Sequence, residues 1–192
     1  MARNLEFNEE EATKKAMEVF WKKGYSGTSI RDLSEAMNVH VSSIYNTMGD
    51  KHQLFVTCIR NYTQNRMEDA LKHAAKIKSP LEAIISFINA SANTIVYSDN
   101  SCLAIKTTFE VATSDPDVQD VLRKDNEFTH KFISDLIHKA IELKELAVDT
   151  DAETLTDFII NTFTGWHESY ILHKDPIRIM RMAKYLIAQI SH

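Results

Sequence analysis

The chain has 192 residues, of which 44% are hydrophobic and 26% are charged, with only 4 glycines and 3 prolines. This composition excludes a disordered or collagen-like protein, because enough apolar surface is present to offset the entropy of ordering the chain. The net charge of -5 argues against a protein that coats nucleic acid but permits a small basic face. The two distant cysteines, Cys58 and Cys102, exclude a disulfide scaffold and indicate a reducing compartment.

The sequence contains no signal for export or for a membrane span. Its first residues, MARNLEFNEEEATKK, are polar and acidic, whereas a signal peptide needs a basic end followed by an apolar core. No stretch approaches the roughly 18 consecutive apolar residues that a membrane-spanning helix needs. We therefore expect a cytoplasmic protein that has no membrane partner.

Apolar residues recur at intervals of three and four along almost the whole chain, which predicts an all-α protein. A first helix is predicted over 9–23, with Asn8 as its N-cap and Gly24 at its end. Thr28 is predicted to cap a short helix over 29–37, and a three-residue turn leads to another short helix over 41–47. Two short helices joined by a tight turn are typical of a helix-turn-helix.

Longer helices are predicted for the rest of the chain. Asp50 caps a fourth helix that extends to Ala74 and is long enough to connect two domains. Ser-Pro and Asp-Pro pairs, or a single Asp, mark the later helix starts. The later predicted helices span about 80–97, 102–112, 116–144, 152–173 and 176–190. The pattern predicts a three-helix N-terminal domain followed by a larger helical domain.

The segment GYSGTSIRDLSEAMNVHVSSIYNTMGDKHQLF, residues 24–55, contains the most specific motif of the chain. It resembles the DNA-binding domain of the TetR family of bacterial transcriptional regulators. The resemblance rests on Gly24, Tyr25, Thr28, Ile30, Leu33, Ser34, Val39, Ile44, Tyr45, Lys51, Leu54 and Phe55. A weaker resemblance to one branch of the family involves Cys102, Leu103, Glu110, Asp115 and Pro116. The resemblance implies a helix-turn-helix domain over 1–50 and an effector-binding and dimerisation domain over 51–192.

In such a domain the second helix of the motif enters the major groove of double-stranded DNA. Its exposed short polar side chains and an amide are suited to reading base edges. Thr28 is predicted to donate its backbone N–H and hydroxyl to a phosphate, and by the resemblance Tyr45 and Lys51 hold phosphates. The predicted DNA-binding residues are Thr28, His40, Val41, Ser42, Ser43, Tyr45, Asn46 and Lys51. Asn38 stands where the family usually has glycine, and asparagine tolerates the left-handed conformation next best.

The charge of the predicted DNA-binding domain is balanced. Residues 1–55 contain seven Lys and Arg against eight Asp and Glu. DNA binding therefore requires an uneven charge distribution, with the cations Lys22, Lys23, Arg31 and Lys51 facing the DNA. We expect few phosphate contacts per subunit and a moderate dependence of binding on salt.

One short helix reads only a few base pairs, so specific recognition predicts a homodimer on a palindromic operator. By pattern and resemblance, the last two helices are the predicted interface. The candidate interface residues are Phe158, Thr162, Phe163, Ile179, Met182, Ala183, Leu186 and Ile190. The alternative is that these residues fill the core of their own domain.

Aromatic residues at helical spacing in the larger domain are compatible with a plain core or with a ligand pocket. The resemblance favours a pocket for an unknown small-molecule effector. The candidate effector-binding residues are Phe87, Asn93, Phe109, Phe128, Trp166, His167 and Tyr170.

Catalysis has no support in the sequence, since no phosphate loop, nucleophile elbow or HExxH motif is present. Two acid-x-x-His pairs, Glu127 with His130 and Asp135 with His138, lie on one predicted helix, whereas di-metal bundles need such pairs on two helices. We predict no catalytic residue, metal or cofactor. Cys102 and Cys58 are expected to pack as small apolar side chains, with a thiol sensor at Cys102 as the alternative.

The sequence therefore predicts a TetR-like repressor that a small molecule releases from its operator. One alternative is a helical small-molecule- or metal-binding enzyme in which residues 24–55 have only a structural role. Another is an architectural DNA-binding protein that has no ligand. Bound metal without DNA binding would favour the first alternative, and a tightly packed C-terminal domain would favour the second.

Overall fold

The computed structural model describes residues 7–98 and 102–191, and the secondary structure in these ranges is entirely helical, as the periodicity predicts. None of the helices in these ranges is long and apolar enough to cross a membrane. The elements are α1 (Glu9–Lys23), α2 (Ile30–Met37), α3 (Val41–Met48), α4 (Lys51–Ala74), α5 (Pro80–Tyr97), α6 (Leu103–Thr107), a π-helical turn (Thr108–Ala112), α7 (Pro116–Glu142), α8 (Ala152–His173) and α9 (Pro176–Ile190).

The chain forms two compact units. Unit 1 comprises the chain up to Gln64 together with Lys106–Leu122. Unit 2 comprises Asn65–Ile105 together with the chain from Arg123 onward. Helices α4 and α7 therefore each contribute residues to both units.

Unit 1 is built around the buried faces of α1, α2, α3 and the first half of α4. The rings of Phe20 and Phe55 meet edge to face, with 4.9 Å between their centroids, and Leu33 and Ile44 are both fully buried. Full burial of an aliphatic or aromatic side chain of this size stabilises a fold by about 1.5–3 kcal/mol. This small core fixes the helix-turn-helix elements relative to α1.

The start of α2 differs from the prediction by one residue. Ser29, not Thr28, is the N-cap: its Oγ accepts a hydrogen bond from the Asp32 N–H at 3.1 Å. The Ser29 N–H in turn donates to the Asp32 carboxylate at 2.8 Å, which completes a capping box. The Thr28 hydroxyl instead donates to the Gly24 carbonyl at 2.6 Å inside the unit. The prediction of Thr28 as the N-cap is wrong, because the Thr28 hydroxyl is used in this bond to Gly24.

Other local predictions are confirmed. Asn38 ends α2 in the left-handed conformation, with φ 56° and ψ 44°. Asn8, Ser79, Asp151 and Asp175 each accept a hydrogen bond at the start of their helices. The predicted helix over 102–112 is divided, because its second half is the π-helical turn.

The core of unit 2 lies between α5, α7, α8 and α9. Its fully buried members include Ile88, Ile133, Ile137, Ile159 and Ile179, with at least one residue from each of these helices. Arg66 donates to Asp125 at 2.7 Å and to Thr129 at 2.8 Å, which ties the second half of α4 to α7 within this unit.

Candidate DNA-binding site

Helix α3 presents one polar face to solvent and one apolar anchor to the core of unit 1. Ile44 is fully buried, whereas Tyr45 is 51% exposed. Ser43 is half-buried, and the remaining predicted face is exposed: His40, Val41, Ser42 and Asn46. The residues predicted to read DNA on α3 therefore form a surface with hydroxyl, amide, imidazole and methyl groups.

The start of α3 has no side-chain cap. His40 occupies the N-cap position, but its side chain makes no capping hydrogen bond. The first N–H groups of a helix have no intrahelical partner, and together with the helix dipole they attract anionic groups. The end of α3 that carries Val41 and Ser42 is thus suited to approach a nucleic-acid surface.

The turn before α3 is fixed by specific hydrogen bonds. The Ser34 hydroxyl donates to the Val39 carbonyl at 2.7 Å, and the Val39 N–H donates to the Ser34 carbonyl at 3.1 Å. Together with the left-handed Asn38, this pair sets the angle between α2 and α3. The turn therefore positions α3 without needing glycine at residue 38.

The predicted cations have different surroundings. Lys51 Nζ lies 4.3 Å from the centroid of the Tyr25 ring, at the first residue of α4. Lys23 pairs with Asp32 at 2.5 Å, and Arg31 pairs with Glu35 at 2.9 Å. The charges of Lys23 and Arg31 are therefore largely balanced inside unit 1, which reduces the positive charge available to phosphates.

Thr28 does not present the donors that the prediction gave it. Its side chain is buried at 2% exposure, its hydroxyl donates to the Gly24 carbonyl, and its N–H donates to the Tyr25 carbonyl at 3.3 Å. Both groups are already used within the unit. In this arrangement Thr28 shapes the loop before α2.

Residues outside the motif hold the helix-turn-helix in place, and sequence reasoning missed their contacts. Lys106 Nζ donates to the Trp21 carbonyl at 2.6 Å, and Glu110 Oε1 accepts from the Ser26 N–H at 3.2 Å. These partners are 84 and 85 residues apart in the chain. The only available signal was the weaker family resemblance around Glu110, which gives no partner.

Two family models match the chain. The model described as bacterial regulatory proteins, tetR family, matches residues 12–58, and the Tetracyclin repressor-like C-terminal domain matches residues 78–186. The chain belongs to the TetR family. It is a DNA-binding transcriptional regulator, and the family is not one of enzymes, so the enzyme alternative is not supported.

Named relatives agree with this assignment. The chain is 25% identical over 162 residues to an uncharacterized HTH-type transcriptional regulator, YezE of Bacillus subtilis, covering 83% of this chain and 84% of YezE. The TetR family regulator CifR, solved as a cysteine mutant with 26-bp double-strand operator DNA, has a TM-score of 0.84 at 21% identity, covering 97% of this chain and 98% of CifR. FadR from Bacillus subtilis in complex with stearoyl-CoA has a TM-score of 0.79 at 13% identity, covering 96% and 98%.

In this TetR-family chain, several predicted effector residues meet in one aromatic cluster of unit 2. The Phe87 ring lies 5.6 Å from Phe132 and 5.8 Å from Phe163. Phe128 stacks on Phe132 at 6.1 Å, and Trp166 meets Phe163 at 5.6 Å. Phe132 and Phe163 were not among the predicted effector residues, although their spacing along α7 and α8 could have indicated them.

The remaining predicted effector residues have different positions. His167 is 5% exposed, and its Nε2 has no hydrogen-bond partner among the described residues. The Tyr170 hydroxyl donates to the Val96 carbonyl at 3.0 Å, so it joins α8 to α5. Asn93 is exposed on α5, and Phe109 is 70% exposed in the π-helical turn of unit 1. His167 is thus the buried polar side chain of the predicted set that still has hydrogen-bonding capacity.

The predicted interface residues of α8 and α9 divide into two groups. Five of them are at most 9% exposed and belong to the core of unit 2: Phe163, Ile179, Ala183, Leu186 and Ile190. Phe158, Thr162 and Met182 line an open, largely apolar groove of about 430 Å³ between α8 and α9, and the buried Leu186 also contributes to its wall. Tyr185, which the prediction omitted, lines the same groove and is 68% exposed. The burial of the first group agrees with the alternative interpretation of the sequence, in which these residues fill the core of their own domain.

In the described ranges, the two histidines of the acid-x-x-His pairs of α7 lie against partners outside those pairs. His130 lies 3.3 Å from Asp157 and 3.6 Å from Glu153, both on α8. His138 Nδ1 lies 2.8 Å from the Ser134 carbonyl. Cys58 is fully buried, and burial raises the pKa of its thiol to about 12, so it packs as the sequence predicts.

Proposed function

We propose that this TetR-family regulator is a repressor that binds a palindromic operator as a homodimer and leaves it when a small molecule binds. DNA reading is assigned to residues 1–50, and effector binding and dimerisation are assigned to residues 51–192. The observation on which the proposal rests is the exposed face of α3, held outward by the buried Ile44. Such a regulator works where the genome is, in the bacterial cytoplasm.

The proposed operator contacts follow from the chemistry of the α3 face. Asn46 offers an amide that can bond an adenine edge through two hydrogen bonds, and Val41 offers methyl groups to a thymine. Tyr45 and Lys51 are proposed to contact phosphates on the two sides of the groove. The structure of CifR with operator DNA supports this mode of binding for a protein of the same fold.

The second copy of the chain is proposed to cover the groove between α8 and α9. The groove contains exposed aromatic side chains, with Phe158 at 58% and Tyr185 at 68% exposure. Burial of apolar area stabilises association by roughly 25 cal/mol per Å² before the entropic cost of binding. A dimer would also place two copies of α3 on one operator, which a single short helix cannot read with enough specificity.

The effector is proposed to be a largely apolar small molecule with one polar group that bonds His167. The aromatic cluster around Phe87, Phe132 and Phe163 supplies apolar contacts in unit 2. A buried polar atom without a partner costs about 1–3 kcal/mol, so a ligand that bonds the His167 Nε2 would recover that free energy. FadR, a protein of this fold, has been solved in complex with stearoyl-CoA, a ligand that contains a long apolar acyl chain.

Release would occur by a shift of populations between two conformations of the dimer. The effector must prefer the conformation in which the two recognition helices no longer fit successive major grooves. An effector that binds both conformations equally would not change operator affinity, however tightly it bound.

The direct test of DNA reading is selection of bound sequences from random double-stranded DNA. We expect the wild type to select a palindrome, Tyr45→Ala to weaken all sites to a similar degree, and Asn46→Ala to relax one position by about 1–3 kcal/mol. Asn126→Ala, on the exposed surface of α7, serves as the matched control. Identical selections for the wild type and Asn46→Ala would refute the role given to Asn46.

The test of release is titration of candidate apolar effectors while operator affinity is measured. A compound that binds the wild type should weaken operator binding, and His167→Leu should bind that compound less tightly. If operator affinity stays unchanged when the compound is saturating, that compound is not an effector in the proposed sense.

A further inference from the structure

A group of metal-ligating side chains lies in unit 1, outside the face of α3. His52 is the second residue of α4, Asp115 immediately precedes α7, and Asp117 lies in the first turn of α7. One ligand atom from each, an imidazole nitrogen and two carboxylate oxygens, lies within 4.8 Å of the other two. In the part of the chain that the structure describes, no other group of three His, Cys, Asp or Glu residues has its ligand atoms all within 4.8 Å of one another.

The first two donors are already at the spacing of neighbouring metal ligands. His52 Nε2 and Asp115 Oδ2 are 2.9 Å apart. Ligands that bind one zinc ion through bonds of about 2.0–2.2 Å lie on the order of 3 Å from each other. A cation could therefore take the place of the hydrogen between His52 Nε2 and Asp115 Oδ2 with only a small movement of the two side chains.

The backbone fixes the orientation of Asp115. Its Oδ1 accepts hydrogen bonds from the N–H groups of Asp117 and Val118, both at 3.2 Å. Oδ2 is therefore directed to His52 and is not required to cap the helix. A ligand held in this way loses little side-chain entropy when a cation binds.

The contact between His52 and Asp115 does not by itself account for a third ligand-type side chain, Asp117, beside it. Within the described ranges its carboxylate makes no hydrogen bond or ion pair with another side chain, yet it lies within 4.8 Å of the Asp115 carboxylate. Two neighbouring carboxylates repel each other when both are ionised. A divalent cation between them would turn this repulsion into attraction.

We propose that His52, Asp115 and Asp117 form a binding site for a divalent first-row transition cation, with Zn²⁺ preferred. One imidazole and two carboxylates suit zinc, manganese or cobalt, whereas calcium and magnesium prefer oxygen ligands alone. His52 is one-third exposed, so water can complete the coordination. The inference goes beyond the proposed function and does not depend on it.

A cation at this site would connect the first turn of α4 to the start of α7 within unit 1. His52 directly follows Lys51, the proposed phosphate contact. The site would therefore hold the beginning of α4 in a fixed place beside the DNA-binding surface.

The experiment titrates the metal-free full-length chain with Co²⁺ alone, without DNA, and follows the visible absorption of the bound ion. Zn²⁺ then competes for the same site. We expect one saturable site in the wild type, with at least tenfold weaker binding in His52→Asn and in Asp117→Asn. Asp149→Asn, an exposed aspartate in the loop after α7, is the matched control and should bind as the wild type does.

Two results would overturn the proposal: no saturable Co²⁺ binding by the wild type, or unchanged affinity in Asp117→Asn. Asp117 is exposed, so its substitution should leave the fold intact, and thermal melts followed by circular dichroism verify this. If His52→Asn were to misfold, Asp117→Asn would still decide the question. Because the titration contains no DNA, its failure would leave operator recognition untouched.

Discussion

The Glu110 carboxylate accepts a hydrogen bond from the Ser26 N–H, with 3.2 Å between Oε1 and N. One turn earlier, Lys106 donates to the Trp21 carbonyl at 2.6 Å. Trp21 lies in the last turn of α1, where carbonyl groups have no intrahelical partner. Residues 106–110 therefore complete the end of α1 and the loop that leads to the helix-turn-helix.

Replacement of Glu110 by alanine should lower the free energy of unfolding by about 1 kcal/mol, since one charge-assisted hydrogen bond at an exposed site is lost. Operator affinity should fall as well, because the loop before α2 loses an anchor. Urea denaturation and operator titration by fluorescence anisotropy measure the two effects. Ser26→Ala is the matched control, because it retains the N–H donor and should behave as the wild type. Equal effects of the two substitutions would show that the carboxylate does not anchor the loop.

Gly24 should not tolerate a side chain. Its φ of 76° and ψ of 171° lie in a region that is essentially restricted to glycine, and a Cβ there would lie 2.6 Å from Glu110 Oε1. We expect Gly24→Ala to lower the free energy of unfolding by about 1–3 kcal/mol. In the double variant with Glu110→Ala, the backbone cost remains and the contact with the carboxylate disappears. The two single effects should therefore add up to more than the effect of the double variant, and simple additivity would contradict the contact.

The helix boundaries were predictable because their signals are local. Asn8, Asp151 and Asp175 each cap a helix through a hydrogen bond that spans three residues, so sequence spacing alone identifies them. Thr28 and Ser29 are adjacent hydroxyl residues, and the choice between them depended on the Thr28–Gly24 bond, which the helix pattern does not contain. The exposed face of α3 is a local feature of the same kind, because it surrounds a single buried residue, Ile44, within one short helix.

Relationships between distant segments were not predictable. Nothing near Ser26 or Glu110 indicates that these residues meet, and nothing near His52 indicates Asp115. Helices α8 and α9 are apolar on more than one face, so the pattern could not show which apolar residues fill the core. Ile179 is fully buried, whereas Phe158 remains exposed, and only the packing of unit 2 distinguishes them.

Asn38 provides a test of the turn between α2 and α3. Its left-handed conformation disfavours residues with a Cβ, and asparagine tolerates it better than alanine does. Asn38→Ala should lower the free energy of unfolding by about 1 kcal/mol, whereas Asn38→Gly should leave it equal or raise it slightly. Chemical denaturation of the three proteins gives the comparison. Higher stability of the alanine variant than of the glycine variant would contradict the assigned conformation.

Asp32 should make the stability of the helix-turn-helix sensitive to acid. The hydrogen bond from Lys23, followed by those from Ser29, holds the pKa of Asp32 well below its ordinary value of 3.8. In the window below about pH 4 the unfolded chain takes up the proton and the folded chain does not, so stability falls as the pH falls. Asp32→Asn should show a weaker loss of stability than the wild type between pH 5 and pH 3, measured by urea denaturation. Asp149→Asn serves as the control, and equal slopes for the wild type and Asp32→Asn would contradict the assignment.

His167 should also make the folded state less stable in acid, at a pH closer to neutral than the range in which Asp32 acts. Burial and, to a smaller degree, Lys174 lower the pKa of His167 below its ordinary value of 6.5, so the folded chain holds the ring neutral. As the pH falls below about 6.5, the unfolded chain binds a proton that the folded chain excludes, and the folded state is destabilised.

His167→Leu removes both the titrating ring and the buried Nε2 that lacks a partner among the described residues. The variant should be at least as stable as the wild type at pH 7 and should lose less stability between pH 6.5 and pH 5, which denaturation at a series of pH values measures. His173→Leu, at the exposed end of α8, should keep the slope of the wild type. If His167→Leu also kept that slope, the folded chain would take up a proton on His167 as readily as the unfolded chain does, which would contradict the lowered pKa assigned to the buried ring.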